Sequence, residues 1–165
     1  MKRYSSIIWV FQNNRMDTKQ RILGLDVGDK TIGVAVSDPL CIIASGVTTI
    51  ERVGIRKDCG KVIDYVREFG CSTVVIGLPL NLDDSDSVQT QKVRDFRTML
   101  ENKMRSLGPL SRVKIEWQDE RYSTEEAEEV LIQADMSRED RKKIIDRQAA
   151  IVILQRYLDR SSYCT

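Results

Sequence analysis

One stretch of the sequence, residues 21–37, constrains the fold more than any other. RILGLDVGDKTIGVAVS is an apolar run that reaches a carboxylate at Asp26, turns through Gly28, Asp29 and Lys30, and continues as a second apolar run. Its β-branched residues and turn residues predict two strands joined by a short link, which favours antiparallel neighbours. Burying an unpaired charge costs on the order of several kcal/mol, so we expect a cation beside Asp26. The alternative is an Asp that caps the turn by accepting backbone N–H groups.

The chain contains no histidine, which excludes several kinds of catalytic site. Ser-His-Asp catalysis, Cys-His catalysis and His-ligated zinc all need an imidazole. Carboxylates must therefore carry any acid, base or metal chemistry. Lys and Arg number 26 against 25 Asp and Glu, so no overall basic field indicates nucleic acid, and such a partner must be met by local patches.

The length and the cysteines indicate one domain in a reducing compartment. A chain of 165 residues is long enough for one well-formed core. The cysteines show no C-x-x-C spacing and favour free thiols in the cytoplasm; they are Cys41, Cys59, Cys71 and Cys164. No run approaches the roughly 20 apolar residues of a membrane span, so we expect no membrane association. We interpret residues 1–20 as a disordered leader or a mis-assigned start, and residues 21–160 as the folded domain.

Hydrophobic periodicity predicts alternating strands and helices along this domain. The predicted elements are strands at 21–25, 31–37 and 42–50, a helix at 59–69, a strand at 73–76, a helix that ends before Gly108, a strand at 113–117, a helix from Ser123 and a final helix from Ser137 to about Asp159. This order fits an α/β fold with a mixed five-stranded sheet whose later strands are joined by helical crossovers. Sites in such sheets form beyond the carboxyl ends of the strands, which places Asp26, Asn81 and residues 119–121 on one rim.

Asp146 stands out in the final helix because it lies on the apolar stripe. Apolar residues follow it at helical spacings; they are Ala149, Ala150, Ile153 and Tyr157. We therefore expect Asp146 to face the sheet. The alternative is a buried ion pair with an Arg or Lys.

Three carboxylates could thus meet at one rim: Asp26, Glu120 and Asp146. Mg²⁺ and Mn²⁺ prefer carboxylate and water oxygens, and two such ions roughly 3.5–4 Å apart can activate a water and stabilise the leaving oxygen of a phosphodiester. Asp119 is an alternative ligand to Glu120.

Four segments of the sequence carry a family resemblance. RILGLDVGDKTIGVAVSDPL, VVIGLPLNLDDSDS, WQDERYSTEEAEEVL and IIDRQAAIVILQRYL resemble the successive motifs of the RuvX (YqgF) family, described as Holliday junction resolvases and as pre-16S rRNA nucleases. The resemblance spans about residues 21–159. It implies that residues 21–160 form an RNase H-like nuclease domain, with a mixed five-stranded sheet flanked by helices and metal-dependent cleavage of structured nucleic acid.

The resemblance assigns catalytic and metal-binding roles to the same three carboxylates, Asp26, Glu120 and Asp146. The chain departs from the family in the loop after Pro79, where it carries Asp84 and Asp86 in place of the glycines that are usual there. The departure stiffens the loop and adds negative charge where a phosphate backbone would lie.

Basic and polar residues near these carboxylates are the candidates for substrate binding. They are Lys30, Asn81, Arg121, Lys142 and Lys143. Lys30 and Arg121 are single charges that could approach the scissile phosphate, whereas the two lysines belong to a basic cluster at the start of the final helix. A second basic group lies on an earlier helix and consists of Lys92, Arg94 and Arg97. The alternative for each is a solvated surface charge.

The function predicted from the sequence is a metal-dependent endonuclease that processes the 5′ end of precursor 16S rRNA, as a monomer or weak homodimer, with association with the ribosome as an open alternative. One alternative is a Holliday junction resolvase, which needs two active sites and hence a dimer. A second is a non-catalytic RNA-binding or ribosome-binding protein. An actin-like ATPase also carries an Asp-x-Gly hairpin, but it needs a second lobe that this length does not supply.

Overall fold

A computed structural model describes residues 20–79, 87–119 and 137–162, and for residues 139–146 it describes the backbone alone. Five strands form the sheet: β1 (Ile22–Val27), β2 (Thr31–Ser37), β3 (Ala44–Glu51), β4 (Thr73–Leu78) and β5 (Lys114–Asp119). The helices are α1 (Ile55–Phe69), α2 (Val88–Arg105) and α3 (Arg138–Ser162), with a 3-10 helix at Gly108–Arg112. In these ranges no helix is both long and apolar enough to cross a membrane.

The sheet has the order β3-β2-β1-β4-β5, so β1 lies at its centre. The pairs β1–β2 and β2–β3 are antiparallel, since short links join consecutive strands. The pairs β1–β4 and β4–β5 are parallel, since helices connect their strands. The predicted mixed five-stranded α/β sheet flanked by helices is confirmed.

Each face of the sheet carries its own core. On one face, side chains of the strands pack with α1 and α2; the largest fully buried ones are Phe96, Leu23, Leu25, Ile32, Ile63, Ile76 and Leu100. On the other face α3 packs through Ala150, Ile153 and Leu154 against Ala35 and Val75. Alternation along β1 therefore sends Leu23 and Leu25 to the first face and leaves Gly24 and Asp26 on the face of α3.

Gly24 allows α3 to lie directly on the central strand. A Cβ at this position would come 2.7 Å from Leu154 Cβ and 3.3 Å from the carbonyl oxygen of Ala150. Carbon atoms normally approach to about 3.5–4.0 Å, so a side chain here would displace the helix.

Strands β1, β4 and β5 each end two residues later than predicted, and two other boundaries differ for identifiable reasons. Helix α1 begins at Ile55 rather than at Cys59, so it includes one more apolar residue of the same stripe. Strand β3 begins at Ala44 rather than at residue 42, because the Asp38 carboxylate accepts the backbone N–H groups of residues 40, 42 and 43 and holds them in a turn. These bonds also lower the pKa of Asp38. The helix predicted from Ser123 lies outside the described residues.

Candidate functional site

Asp26 lies at the carboxyl edge of the sheet. Because β1, β4 and β5 run parallel, their last residues, Val27, Leu78 and Asp119, end at the same edge. Asp26 is half-buried, and its registered partner on β2 is Gly33, which has no side chain. The parallel pairing puts these strand ends on one edge, as predicted, but Asp26 lies inside β1 rather than just past its end.

The contacts of α3 with the residues in and before β3 define the direction in which this helix crosses the sheet. Towards its end, Gln155 accepts a hydrogen bond from the N–H of Ala44 at 2.9 Å and donates to the carbonyl of Ile42 at 2.9 Å. Nearer its start, Arg147 lies against Gly46, where an added Cβ would be 2.9 Å from the Arg147 side chain. The chain of α3 therefore runs against the direction of β1, with its start towards the edge that holds Asp26.

The register of the sheet, together with the helical rise, indicates where residue 146 lies along the central strand. Gly24 is paired with Ala35, and Ala35 with Gly46, and this row lies under the stretch of α3 from Arg147 to Leu154, in which the carbonyl oxygen of Ala150 approaches Gly24. One helical turn earlier, about 6 Å along the axis, is residue 146. The next row on the same face, about 6.8 Å further along β1, holds Asp26. From these spacings we expect the backbone at residue 146 to lie near the level of Asp26 along β1.

The other predicted site residues lie where side chains are not described. Asn81, Glu120 and Arg121 are outside the described residues, while Lys142, Lys143 and Asp146 belong to the part of α3 described by its backbone alone. Asp119 ends β5 and is partly buried. Among the described side chains no three metal-ligating groups come together, and Asp26 is the one member of the predicted trio in that set. The trio and the choice between Asp119 and Glu120 stay predictions.

Arg52 holds the β1–β2 turn in place. Its Nη1 donates to the carbonyl of Gly28 at 2.8 Å, and its backbone N–H donates to the carbonyl of Lys30 at 2.9 Å. The N–H of Gly28 in turn donates to the carbonyl of Thr31 at 2.9 Å. The Lys30 side chain is exposed at this fixed turn, so it is accessible to a ligand at the sheet edge.

The same Arg52 forms a buried ion pair with Asp58. Its Nε lies 3.0 Å from Asp58 Oδ2, and Asp58 Oδ1 accepts the N–H of Val53 at 3.0 Å. Asp58 is 0% exposed, and the Arg52 guanidinium also lies over the ring of Phe96. Sequence analysis missed this pair, because an Asp in the first turn of a helix normally indicates favourable charge at a solvated helix start.

Helix α2 holds the turn from the other side. Lys92 Nζ lies 2.7 Å from Asp29 Oδ1, and this contact lowers the pKa of Asp29. Gln89 Nε2 donates to the carbonyl of Val27 at 3.1 Å. The residues that follow Asp26 are therefore fixed both by Arg52, which follows β3, and by α2.

The second basic group is engaged within the protein. Lys92 has its ion pair with Asp29, and the Arg97 guanidinium lies 4.7 Å from the ring centre of Trp117 and donates to the carbonyl of Ile115 at 2.9 Å. Arg94 lies over the same ring of Trp117. These contacts favour a structural role for this group over the phosphate contacts that its sequence suggested.

A cleft of about 410 Å³ opens beside the turn. Its lining consists of Asp29, Arg52, Gly54, Ile55, Asp58, Lys92 and Asp95. The lining carries both cations and carboxylates, and among the described residues neither Asp26 nor α3 contributes to it. The cleft is therefore separate from the site that the sequence predicts around Asp26.

The strand order and the helix placement define an RNase H-like fold. Solved structures share it: RuvC of T. thermophilus in complex with a Holliday junction substrate aligns with a TM-score of 0.53 and 13% identity, covering 87% of this chain and 96% of that one. The resolvase of Fowlpox virus in a Holliday junction DNA complex aligns with a TM-score of 0.50 and 12% identity, covering 86% and 98%. At these identities the likeness bears on the fold alone.

Sequence comparison identifies the family. The chain belongs to the RuvX family, whose profile, described as Holliday junction resolvase, matches residues 20–160. A relative from Clostridium perfringens, named "Putative pre-16S rRNA nuclease", is 45% identical over 142 residues, 86% of this chain and 98% of the relative. A relative of the same name from Clostridioides difficile is 45% identical over 139 residues, 84% of this chain and 94% of the relative. The predicted family is confirmed.

Proposed function

We propose that this protein is a metal-dependent endonuclease that hydrolyses phosphodiester bonds of structured nucleic acid, with the 5′ end of precursor 16S rRNA as its substrate. The observation that carries the proposal is the half-buried Asp26 near the carboxyl end of the central strand, on the face of the sheet against which α3 packs. The names of its 45% identical relatives support RNA processing as the role.

The chemistry of the donor set fits divalent cations. Asp26, Glu120 and Asp146 would hold Mg²⁺ or Mn²⁺, and a pair of ions would activate the attacking water and stabilise the leaving oxygen. The carboxylates do not need a histidine partner for this role, in keeping with a chain that has none.

The remaining predicted residues would orient the substrate. Lys30, exposed on a turn that Arg52 and α2 fix, would approach a phosphate oxygen near Asp26 together with Arg121. Asn81 would contact the substrate from the loop after β4, and Lys142 and Lys143 would neutralise neighbouring phosphates along the start of α3.

Hydrolysis of branched DNA is the second candidate, because the family carries the description Holliday junction resolvase. Symmetric cleavage of a four-way junction needs two active sites, so this activity would require a dimer. An activity on both substrates would make the nucleic-acid shape, rather than the sugar, the recognised feature.

The test is to incubate the purified chain with Mg²⁺ or Mn²⁺ and either a precursor 16S rRNA fragment or a four-way DNA junction. We expect cleavage of the RNA near its mature 5′ end, and a loss of about 10²–10³-fold in rate for Asp26→Asn, the size expected when one stabilising group is removed. Asp64→Asn is the matched control, because its carboxylate is 76% exposed on α1, and it should cleave like the wild type.

The outcomes separate the candidate functions. Cleavage of the junction alone would replace RNA processing with junction resolution. Binding of RNA without cleavage under either ion would indicate a non-catalytic RNA-binding protein. Undiminished cleavage by Asp26→Asn would refute the assigned site.

A further inference from the structure

Gln118 is a buried polar residue on the same face of the sheet as Asp26. It is the penultimate residue of β5 and only 7% exposed. Its neighbours Ile115 and Trp117 pack with the core on the side of α1 and α2. Alternation along the strand therefore turns Gln118 to the opposite face, the one that α3 covers.

The amide of Gln118 is satisfied at one end only. Its Nε2 donates to the carbonyl of Asp119 at 3.3 Å. Its Oε1 is fully shielded from solvent, and it has no hydrogen-bond partner among the residues that the structure describes. Buried polar atoms in proteins are nearly always paired, so a buried acceptor of this kind calls for a donor or a cation that occupies the site at another stage.

The register brings Gln118 into the row of Asp26. Gln118 is paired with Gly77 on β4, and continuing the β1–β4 register by one position beyond Leu25 and Ile76 sets Gly77 beside Asp26. Gln118 and Asp26 are thus two strands apart, about 10 Å between their Cα atoms. Because Gly77 has no side chain, the sheet places none between them.

We propose that Oε1 of Gln118 is an additional oxygen ligand for a divalent cation held at Asp26. This inference rests on the proposed function. The burial of Gln118 Oε1 favours a small ion over a nucleic-acid group as its partner, because a base or a ribose could not reach an atom shielded in this way. An amide oxygen suits Mg²⁺ and Mn²⁺, and as a neutral ligand it adds no repulsion to a site that already collects carboxylates.

The two side chains are long enough to share one ion or to serve two neighbouring ions. The Asp26 carboxylate and the Gln118 amide extend from strands about 10 Å apart. The two side chains, with a cation–oxygen distance of about 2.1 Å on each side, can bridge this separation. Glu120, one of the predicted ligands, lies two positions after Gln118 in the sequence. The additional ligand would therefore come from β5, the strand that directly precedes Glu120.

The test measures Mn²⁺ binding to the full chain by calorimetry and by electron paramagnetic resonance, alongside thermal unfolding with and without Mn²⁺. The variants are Gln118→Leu, which keeps the bulk and removes the oxygen, and Gln118→Glu, which supplies a charged oxygen. Asp26→Asn serves as the reference for the loss of a primary ligand. We expect Gln118→Leu to weaken Mn²⁺ binding about 10- to 100-fold, the usual effect of losing a supporting group at a metal site, and Gln118→Glu to bind at least as tightly as the wild type.

The metal-free melting temperature distinguishes a ligand from a structural residue. A ligand role predicts that Gln118→Leu melts at or above the wild-type temperature without metal, since an unpaired buried acceptor is removed, while the Mn²⁺-induced rise in melting temperature shrinks. A structural role predicts a lower metal-free melting temperature and an unchanged Mn²⁺-induced rise, which would overturn the inference.

Failure of this inference can be told apart from failure of the proposed function. If Asp26→Asn loses Mn²⁺ binding and Gln118→Leu binds like the wild type, only the role of Gln118 is refuted. If Asp26→Asn also binds Mn²⁺ like the wild type, the proposed cation site itself is refuted, and with it the role of Gln118.

Discussion

Replacing Gly24 with alanine tests the close contact between α3 and the central strand. The new Cβ would lie 2.7 Å from Leu154 Cβ and 3.3 Å from the Ala150 carbonyl oxygen. Neither atom is the far end of a flexible side chain, so α3 would have to move away by about 1 Å to restore a normal carbon–carbon contact of about 3.5–4.0 Å. The contact is therefore relieved only by a shift of the helix or of the strand.

The expected cost follows from the size of this overlap. Added methyl groups in a well-packed core typically cost about 1–3 kcal/mol. In a chain of this length each kcal/mol lowers the melting temperature by about 2–4 °C, so Gly24→Ala should melt about 2–12 °C below the wild type. Thermal unfolding followed by circular dichroism at 222 nm, a standard wavelength for helix content, measures it. Because residue 146 is part of α3 and would shift with it, the affinity of the proposed site for Mn²⁺ should fall as well.

Gly60→Ala supplies the matched control. Gly60 lies within α1, and among the described residues a Cβ there would meet only the terminal Nζ of Lys103, at 3.3 Å. Alanine in a helix interior is favoured over glycine by about 0.5–1 kcal/mol, so this variant should melt slightly above the wild type. A Gly24→Ala variant as stable as Gly60→Ala would show that α3 does not rest on Gly24 and would remove the basis for placing residue 146 near the level of Asp26.

Two further outcomes follow from buried groups. Arg52→Met leaves the fully buried Asp58 without its cation and should lower the free energy of unfolding, measured in urea, by about 3–5 kcal/mol. The double variant Arg52→Met/Asp58→Leu removes both charges and should recover much of this loss. Equal losses in the single and double variants would contradict the prediction. Burial raises the pKa of Cys59 to about 11 and that of Cys71 to about 12, from 9.0. Because the thiols of the unfolded chain lose their protons at lower pH than those of the folded chain, the stabilisation by the buried thiols is complete below pH 9 and is lost as the pH rises towards 11–12. Cys59→Ala should make this alkaline fall in the free energy of unfolding shallower. An unchanged fall in urea titrations at alkaline pH would refute the prediction.

The elements that the sequence predicts well are those set by local periodicity. The hairpin around Asp26 and the apolar stripe of α1 follow from residues close together in the chain, and the structure agrees with both. The run at Ile42 and Ile43 shows the limit of this reasoning. Its apolar residues predicted a strand, but both side chains are about 60% exposed (59% and 60%), because the Asp38 carboxylate binds their backbone N–H groups.

Several details of the structure depend on contacts between distant residues, which a pattern in one sequence does not contain. Asp58 has the spacing of a solvated acid at a helix start, and only the approach of Arg52 from the end of β3 makes its burial favourable. Gln118 has the polarity expected of a strand end, and no local pattern in the sequence indicates its burial. Gly24 gave no sign of the helix that rests on it. The three-dimensional register is needed for each.

The position of α3 in the chain has a consequence during synthesis on the ribosome. Strands β1, β4 and β5 all precede α3, so Asp26 leaves the exit tunnel long before the helix that packs on its face of the sheet. Until α3 docks, the face bearing Ala35 and Val75 lacks its covering helix. A nascent chain that has completed its strands would therefore expose an apolar sheet face, open to non-native contacts, until the last helix has been synthesised and has docked.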